Sequence, residues 1–336
     1  MRVLVTGASG YIGAVMVPYL KEAGHEVSTF DLGLYESGAF SPRVPKADRR
    51  DIRSATVQDL DGFDAVVHLA ALSNDPLGNL NEGLTFDINH TATTEFARLA
   101  ASAGVSRFLF ASSCSLYGAA GSSNVTEDAP FAPITAYGKA KVLVEQDLRK
   151  LASDKFSPTY LRNATVYGAS PALRLDIVVN NLSAWAVATG RIVLLSDGTP
   201  WRPQVHVRDV CNAFLATLEA PRDMIHDEAF NVGRSTENYQ VRDIAAMVGD
   251  AVPDALLQVP DAAGPDTRSY RVDFAKIEET LPGYTPQWTV RTGVDEVVDA
   301  FRAANMTEAD FGRYTRLATI EREIEAGRLT TELKWL

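Results

Sequence analysis

The sequence has few cysteines and no apolar stretch long enough to cross a membrane. Cys114 and Cys211 are the only cysteines among 336 residues, which excludes a disulfide framework and is typical of a reducing compartment. No apolar run approaches the roughly 18 residues of a membrane helix. Gly7 interrupts the opening apolar run, which argues against a secretory signal. We therefore expect a cytoplasmic protein without a membrane partner.

Positive charge and histidine are also scarce. The chain has 32 Lys and Arg residues against 43 Asp and Glu, a net charge of −11. This balance argues against nucleic acid as a partner, although a local arginine cluster could still bind an anionic small molecule. The five histidines are scattered without metal-ligand spacing, so we expect no metal site.

What the chain does have is a glycine-rich loop directly after its first predicted strand. Gly7, Gly10 and Gly13 follow the apolar run Arg2–Thr6, and a helical pattern covers 14–23. Glycines allow a tight turn and a close approach of phosphate to the backbone, while the helix N-terminus attracts negative charge. The pattern predicts a dinucleotide site that includes the backbone of Tyr11 and Ile12.

An acidic residue ends the second predicted strand, over 26–31. Asp31 lies 18 residues beyond Gly13, where a dinucleotide site places a carboxylate on the adenosine ribose. A carboxylate there repels the extra phosphate of NADP, so NAD is the predicted cofactor. We also predict a short third strand over 48–52, with Asp51 and Ile52 near the adenine. A fourth strand over 65–71 would bring further residues to the cofactor, namely Leu69, Ala70 and Ala71.

Strands and helices alternate through the first half of the chain. Strands over 107–112 and 157–161 are separated by a predicted helix over 136–152, which predicts an α/β fold with a parallel sheet. We expect a Rossmann-type doubly wound sheet in a cofactor-binding domain, 1–170, and a smaller substrate-binding lobe, 171–336. A strand near 229–232 is expected to return to the main sheet.

A tyrosine and a lysine four residues apart carry the predicted chemistry. Tyr137 and Lys141 stand near the start of a predicted helix, so both side chains share one face. A phenol is a poor base at neutral pH, but a neighbouring ammonium stabilises the phenolate and lowers its pKa. Ser113, at the end of the preceding strand, could donate a hydrogen bond to the same substrate oxygen.

Together, these motifs resemble the extended short-chain dehydrogenase/reductases of the nucleotide-sugar epimerase/dehydratase family. The resemblance rests on the three glycines, Asp31, Ser113, Tyr137 and Lys141. It implies that Tyr137 is the base, that Ser113 is its partner, and that Lys141 holds the nicotinamide ribose. It also implies a homodimer.

The resemblance further implies a nucleotide-diphosphate sugar as substrate. Asn181 and Arg202 are similar to the asparagine and arginine that contact the diphosphate in the family, and Arg268 is a second candidate arginine. Thr165 stands where many relatives have an asparagine. Other candidate substrate contacts are Ser73, Asn89 and Ser115, although Asn89 could equally be an interior polar residue.

The residues between Ser113 and Tyr117 bear on the reaction. Sugar 4,6-dehydratases of the family have an Asp-Glu pair there, whereas this chain has Cys114 and Ser115. Cys114 is a candidate acid or base, or else a small buried residue. We expect an epimerase that works through a transient 4-keto sugar. The alternatives are a 4-ketoreductase with the same residues and a binding module without catalysis.

Overall fold

The computed structural model describes residues 1–73, 81–118, 124–259 and 269–336. The strands are β1 (Arg2–Thr6), β2 (Glu26–Phe30), β3 (Ala65–His68), β4 (Arg107–Ser113), β5 (Asn124–Val125), β6 (Ser157–Asn163), β7 (Thr165–Tyr167), β8 (Arg191–Val193), β9 (Trp201–His206), β10 (Glu228–Val232), β11 (Asn238–Gln240), β12 (Leu256–Gln258) and β13 (Arg271–Val272). The α-helices are α1 (Gly13–Glu22), α2 (Glu82–Phe86), α3 (Thr93–Ser102), α4 (Ala136–Leu151), α5 (Val178–Thr189), α6 (Val207–Glu219), α7 (Arg222–Ile225), α8 (Val241–Ala251), α9 (Ala275–Thr280), α10 (Val290–Ala303) and α11 (Arg316–Glu325).

A parallel sheet of six strands, in the order β10-β6-β4-β3-β1-β2, forms the centre of the molecule. Every residue of the middle strands β3 and β6 is buried, as expected for strands covered on both faces. The chain moves outward from β1 in both directions, so the loop after β1 lies at the point where the strand order reverses. This point is where open α/β sheets bind ligands. The structure confirms the predicted Rossmann-type fold.

The predicted third strand over 48–52 is wrong. This segment has no strand structure; Arg49 has a positive φ of 62°, and Asp51 instead begins a 3-10 helix, Ile52–Ser54, by accepting a hydrogen bond from the Arg53 amide. The Asp48 carboxylate accepts a hydrogen bond from the Asp31 amide at 3.0 Å. Local side-chain bonding therefore replaces pairing with β2, which stands at the edge of the sheet among the described residues.

The helical region before β4 is interrupted. Helices α2 and α3 are joined by a π-helical segment, Asp87–Ala92, of the kind that often lies near functional sites. Helix α5 begins at Val178, and the residues before it form a loop that lines the main cavity.

The second half of the chain contributes to the main sheet and adds smaller sheets beside it. Strand β10 pairs with β6 in parallel, whereas β11, β9 and β7 form a separate three-stranded sheet. Helices α5, α8 and α10 pack together around a further apolar core. The division into domains at residue 170 stays a prediction. Within the described ranges, every helix is too short or too polar to span a membrane.

Candidate active site

A cavity of about 710 Å³ lies along the carboxyl ends of the main strands. Its walls include residues that follow five neighbouring strands, in the order β2, β1, β3, β4 and β6. Because adjacent strands lie about 4.8 Å apart, these residues extend over roughly 19 Å. The predicted site residues that line the cavity are Gly7, Gly10, Tyr11, Ile12, Gly13, Asp31, Asp51, Ile52, Leu69, Ala70, Ala71, Ser73, Ser113, Ser115, Tyr137, Lys141, Thr165, Asn181 and Arg202.

The glycine-rich loop leaves room for a phosphate. Gly7 has a φ of 69°, and a Cβ there would lie 2.8 Å from the Ala70 amide nitrogen. A Cβ on Gly13 would lie 2.7 Å from Cα of Ala8, so this glycine lets α1 pack against the loop. A Cβ on Gly10 would have Gly7 O, at 3.1 Å, as its one neighbour within 4 Å among the described residues. The loop therefore presents open backbone and the start of α1 to a ligand.

The loop is also fixed to the second half of the chain. The buried Tyr11 hydroxyl donates to the Gly168 carbonyl at 2.7 Å, and the Ser170 hydroxyl donates to the Tyr11 carbonyl at 2.7 Å. Burial raises the pKa of Tyr11, so its hydroxyl stays protonated and remains a donor. These bonds hold the glycine-rich loop and the segment after β7 in one arrangement.

The Asp31 carboxylate is fixed at the β2 end of the cavity. One oxygen accepts from the Ser9 amide at 2.9 Å and the other from the Gly33 amide at 2.6 Å. Burial raises the pKa of Asp31, against the effect of these hydrogen bonds. Nearby, the Asp51 carboxylate accepts from Nη2 of Arg53 at 2.6 Å. The Asp31 oxygen that is bonded to Gly33 has a second lone pair that can accept a hydroxyl hydrogen.

Lys141 is buried beside Tyr137 on α4. Thr135 begins this helix, because its side chain accepts a hydrogen bond from the Gly138 amide. The Lys141 ammonium donates to the Ala111 carbonyl at 2.6 Å and lies 5.4 Å from the centre of the Tyr137 ring. Burial lowers the pKa of Lys141 to about 7, against the opposing effect of Glu145. The predicted pairing of phenol and ammonium on one helix face is therefore present.

Two serine hydroxyls lie at the end of β4. The Ser115 hydroxyl and the Ser115 amide both donate to the Ser113 hydroxyl, at 2.9 and 3.2 Å. With its oxygen accepting twice, the Ser113 hydroxyl keeps its own hydrogen for a ligand in the cavity.

The structure does not support an acid or base role for Cys114. Its side chain is fully buried, does not line the cavity, and donates to the Arg162 carbonyl at 3.1 Å. Burial also raises the pKa of the thiol. The thiol faces the interior because Cys114 begins a 3-10 turn, Cys114–Tyr117, that keeps Ser113 and Ser115 on the cavity side.

A buried ion pair supports the segment that carries Ser113 and the helix that carries Tyr137. Arg162 and Glu145 are fully buried and bond through two contacts, at 2.7 and 3.1 Å. The Ser112 hydroxyl donates to Glu145 at 2.6 Å, and Arg162 donates to the Tyr117 hydroxyl at 2.9 Å. The pair thus connects β4, β6 and α4 directly beneath the predicted catalytic groups.

The β6 end of the cavity is formed by the second half of the chain. Thr165, Asn181 and Arg202 line it as predicted, together with Tyr270 and the segment after β8. Asn181 donates to the Leu175 carbonyl at 2.8 Å, which leaves its side-chain oxygen for a ligand. Arg268 lies outside the described residues.

Asn89 is not a substrate contact in this structure. It is buried outside the cavity, where its side chain accepts from the Leu72 amide at 2.8 Å and donates to the Leu72 carbonyl at 2.9 Å. It therefore holds the backbone that follows β3. His68 is likewise an interior residue, bonded to two threonines, and burial lowers its pKa to about 3.

A family model for the NAD dependent epimerase/dehydratase family matches residues 3–233. The chain belongs to this family. It is 27% identical to the UDP-glucose 4-epimerase of Bacillus subtilis, over 90% of this chain and 96% of that protein. The UDP-glucose 4-epimerase of Corynebacterium glutamicum is 29% identical over the same shares.

Solved structures agree with the family assignment. The structure of MoeE5 in complex with UDP-glucuronic acid and NAD has a TM-score of 0.78 and 27% identity, and the match covers 90% of this chain and all of that one. MoeE5 has also been solved with UDP-glucose and NAD, with a TM-score of 0.77 to this chain. This chain is accordingly an NAD-dependent enzyme of the extended short-chain dehydrogenase/reductase type.

Several polar residues of the cavity were not predicted from the sequence, among them Arg174, Asp176, Tyr35 and Arg316. Arg174 and Asp176 lie before α5, and Arg174 donates to the Asp176 carboxylate at 2.9 Å and to the Ser73 hydroxyl at 3.2 Å. An Arg-x-Asp pattern next to Asn180 and Asn181 was a local signal for this pair. The other two, Tyr35 and Arg316, lie 281 positions apart, and no local pattern connects them.

Proposed function

We propose that this protein is an NAD-dependent nucleotide-sugar 4-epimerase. The observation that carries the proposal is the buried Lys141 ammonium 5.4 Å from the Tyr137 ring, in the same cavity as the glycine-rich loop. The matched relatives named UDP-glucose 4-epimerase support a UDP-sugar as substrate. NAD, when bound, supplies a hydride acceptor that returns the hydride later in the cycle.

The cofactor would occupy the part of the cavity between β2 and β4. Its diphosphate fits the open backbone around Gly10 and the start of α1, and its adenosine ribose fits the free lone pair of Asp31. Asp51, Ile52, Leu69, Ala70 and Ala71 then line the remainder of this part. Lys141 would hold the nicotinamide ribose next to Tyr137.

Tyr137 would remove the proton from the C4 hydroxyl of the sugar. In its protonated state, the Lys141 ammonium would stabilise the phenolate electrostatically, and the burial of Lys141 strengthens this attraction. The Ser113 hydroxyl hydrogen, left over after its two bonds to Ser115, would bind the same sugar oxygen. The proton returns from Tyr137 to this oxygen once the 4-keto sugar has presented its other face.

The nucleotide diphosphate would lie at the β6 end of the cavity. Arg202 offers a planar set of donors that matches a phosphate, and Arg268 is a second candidate. Thr165 and the Asn181 side chain would contact the sugar and the diphosphate. Ser73 and Ser115 would complete the contacts around the sugar.

A 4-ketoreductase is the second candidate, because Ser113, Tyr137 and Lys141 would serve net reduction equally well. The relatives' names favour epimerisation. The two functions differ in the fate of the hydride. An epimerase returns it from the cofactor to the same sugar, whereas a reductase transfers it permanently from the cofactor to the product.

The test is to incubate the purified protein with UDP-glucose or UDP-galactose and follow the sugar by proton NMR. We expect the same mixture of the two epimers from either starting sugar, with no lasting change in nicotinamide absorbance. Consumption of NADH with a 4-keto sugar would instead support the reductase. If neither sugar is converted while both NAD and UDP bind, the catalytic proposal is contradicted.

A further inference from the structure

Arg316, at the start of α11, is buried in the wall of the cavity near the β2 end. It is 6% exposed, and its guanidinium lies 3.9 Å from the centre of the Tyr35 ring. One of its nitrogens donates to the Ala172 carbonyl at 3.2 Å. Both Arg316 and Tyr35 line the cavity, as does Asp31, which lies a few residues before Tyr35. The last helix of the chain therefore reaches the end of the cavity that Asp31 marks.

The other arginines near this end are paired with aspartates. Arg50 contacts Asp48 at 2.6 Å, Arg53 contacts Asp51 at 2.6 Å, and Arg174 contacts Asp176 at 2.9 Å. Arg316 has no carboxylate within 4.0 Å among the residues that the structure describes, and Asp176 and Asp31 act on it only at longer range. Burial lowers the pKa of Arg316 to about 10, so it is still charged at neutral pH.

A buried charge without a counter-charge is costly, and folded proteins normally pair it or expose it. Arg316 keeps donors that make no hydrogen bond to the described residues. The Tyr35 hydroxyl beside it is also buried and has no hydrogen-bond partner in the described part of the chain. Burial raises the pKa of Tyr35, so this hydroxyl stays protonated. Apart from the Arg316 bond to Ala172, the donors of these two side chains are unused by the described residues.

We propose that Arg316 binds the diphosphate of NAD and that α11 is therefore part of the cofactor site. The diphosphate supplies the missing negative charge, and the guanidinium fork matches its oxygens. The cofactor's diphosphate fits better than the substrate's, because Tyr35 and Asp31 follow β2, whereas Arg202 lies at the opposite end of the cavity, beyond β4. This proposal requires NAD as cofactor and does not depend on the reaction catalysed.

The test compares ligands with and without phosphate on the Arg316→Gln variant, freed of cofactor. By calorimetry, we expect ADP and NAD to bind about 10- to 100-fold more weakly than to the natural protein, the range for hydrogen bonds to a charged group. Adenosine should bind equally to both proteins. UDP affinity should not change, since UDP would occupy the opposite end of the cavity.

Arg322→Gln is the matched control, because Arg322 is an exposed arginine on the same helix, and its one hydrogen bond within the described ranges goes to Ser37. This variant should bind ADP as the natural protein does. Unchanged affinities for ADP and NAD in Arg316→Gln would overturn the proposal. A loss confined to UDP would also overturn it, because the arginine would then serve the substrate.

A measurement on the natural protein covers the case in which Arg316→Gln does not fold. Hydrogen exchange of the amides in Arg316–Glu325 should slow when ADP is added and should be unaffected by adenosine. Equal exchange with and without ADP would overturn the proposal.

Discussion

The two ends of the cavity are built in different ways. At the end that we propose binds NAD, the cofactor end, most lining residues directly follow strands of one sheet, and the Asp31 carboxylate is fixed by the Ser9 and Gly33 amides. At the end that we propose binds the nucleotide sugar, the substrate end, the lining residues come from β9, from α5, from the segments that follow β6 and β8, and from Tyr270 just before β13. Tyr137 and Lys141 lie between the two ends.

The different construction of the two ends suits two different tasks: binding a cofactor common to the family, and binding a substrate particular to one member. A rigid sheet edge can hold the same cofactor in many enzymes, whereas a wall assembled from several short segments can change without disturbing the sheet. The buried Arg162–Glu145 pair belongs to the rigid part, because it connects β6 to α4. The following predictions test whether the two ends behave as separate units.

The largest expected effect is that of Tyr137→Phe, at the junction of the two ends. Loss of the base should lower kcat about 1,000-fold, within the usual range for general acid–base catalysis. Neither end of the cavity loses a binding group, so the affinities for NAD and UDP should change by less than about threefold. Steady-state kinetics and calorimetry measure the two effects. A loss of NAD affinity as large as the loss in kcat would show that Tyr137 and the cofactor end do not act as separate units.

Glu145→Gln tests the rigidity of the sheet edge. It leaves the buried Arg162 charge uncompensated, so the free energy of unfolding should fall by about 3 kcal/mol. Urea titration followed by circular dichroism measures the change. Asp147→Asn is the control on the same helix, since Asp147 makes partly exposed contacts with Lys150 and His90 and should cost at most about 1 kcal/mol. Equal effects of the two variants would contradict the role given to the buried pair.

Lys141→Met should lose activity yet gain stability below neutral pH. Because the native pKa of about 7 lies below the unfolded value of 10.5, the unfolded chain binds one proton more between these two values. The natural protein therefore becomes more stable as pH rises through this window. Below the window, the full free-energy cost of burying the charged Lys141 destabilises the native state. At low pH, the variant should be more stable by on the order of 2 kcal/mol, after the lost bond to Ala111 is subtracted.

Urea titrations of both proteins below pH 7 and near pH 10 measure this difference. The advantage of Lys141→Met should shrink or reverse at the higher pH, because the lysine is then neutral in the native protein as well. A difference that does not vary with pH would mean that Lys141 titrates normally.

The smallest effects concern binding, and they should appear separately at the two ends. Arg202→Gln should weaken UDP about tenfold and leave NAD unchanged, because it removes a charged donor from the substrate end alone. Asp31→Ser should weaken NAD about tenfold and reduce its preference over NADP, with UDP unchanged. Calorimetry with each ligand on both variants measures these effects. A change at both ends from either substitution would contradict their independence.

The sequence was sufficient to predict which residues come together around the glycine-rich loop, and that Tyr137 and Lys141 lie side by side. Gly7 to Gly13, Asp31, Tyr137 and Lys141 stand in short local patterns, and each pattern requires a particular backbone geometry. The parallel sheet was predictable for the same reason, because strands and helices alternate along the first half of the chain. These features all depend on residues that are near one another in the chain.

The features that could not be predicted depend on distant contacts or on competing local bonds. The segment 48–52 was predicted as a strand, but the Asp48 and Asp51 carboxylates bond to nearby amides instead. Asn89 was open to two interpretations. Its hydrogen bonds to the Leu72 amide and carbonyl show that it is an interior residue. Arg316 reaches the cavity only because α11 packs near Tyr35, which no local pattern shows.

The two thiols are buried and carry raised pKa values, although Cys114 is adjacent to Ser113. Since the thiolate is the species that reacts with alkylating and oxidising reagents, neither cysteine is a ready target while the chain is folded. Iodoacetamide would therefore leave both thiols of the folded protein unmodified, and their alkylation would report unfolding. The chain thus contains its own chemical indicator of denaturation, and one of its two thiols, Cys114, is adjacent to Ser113.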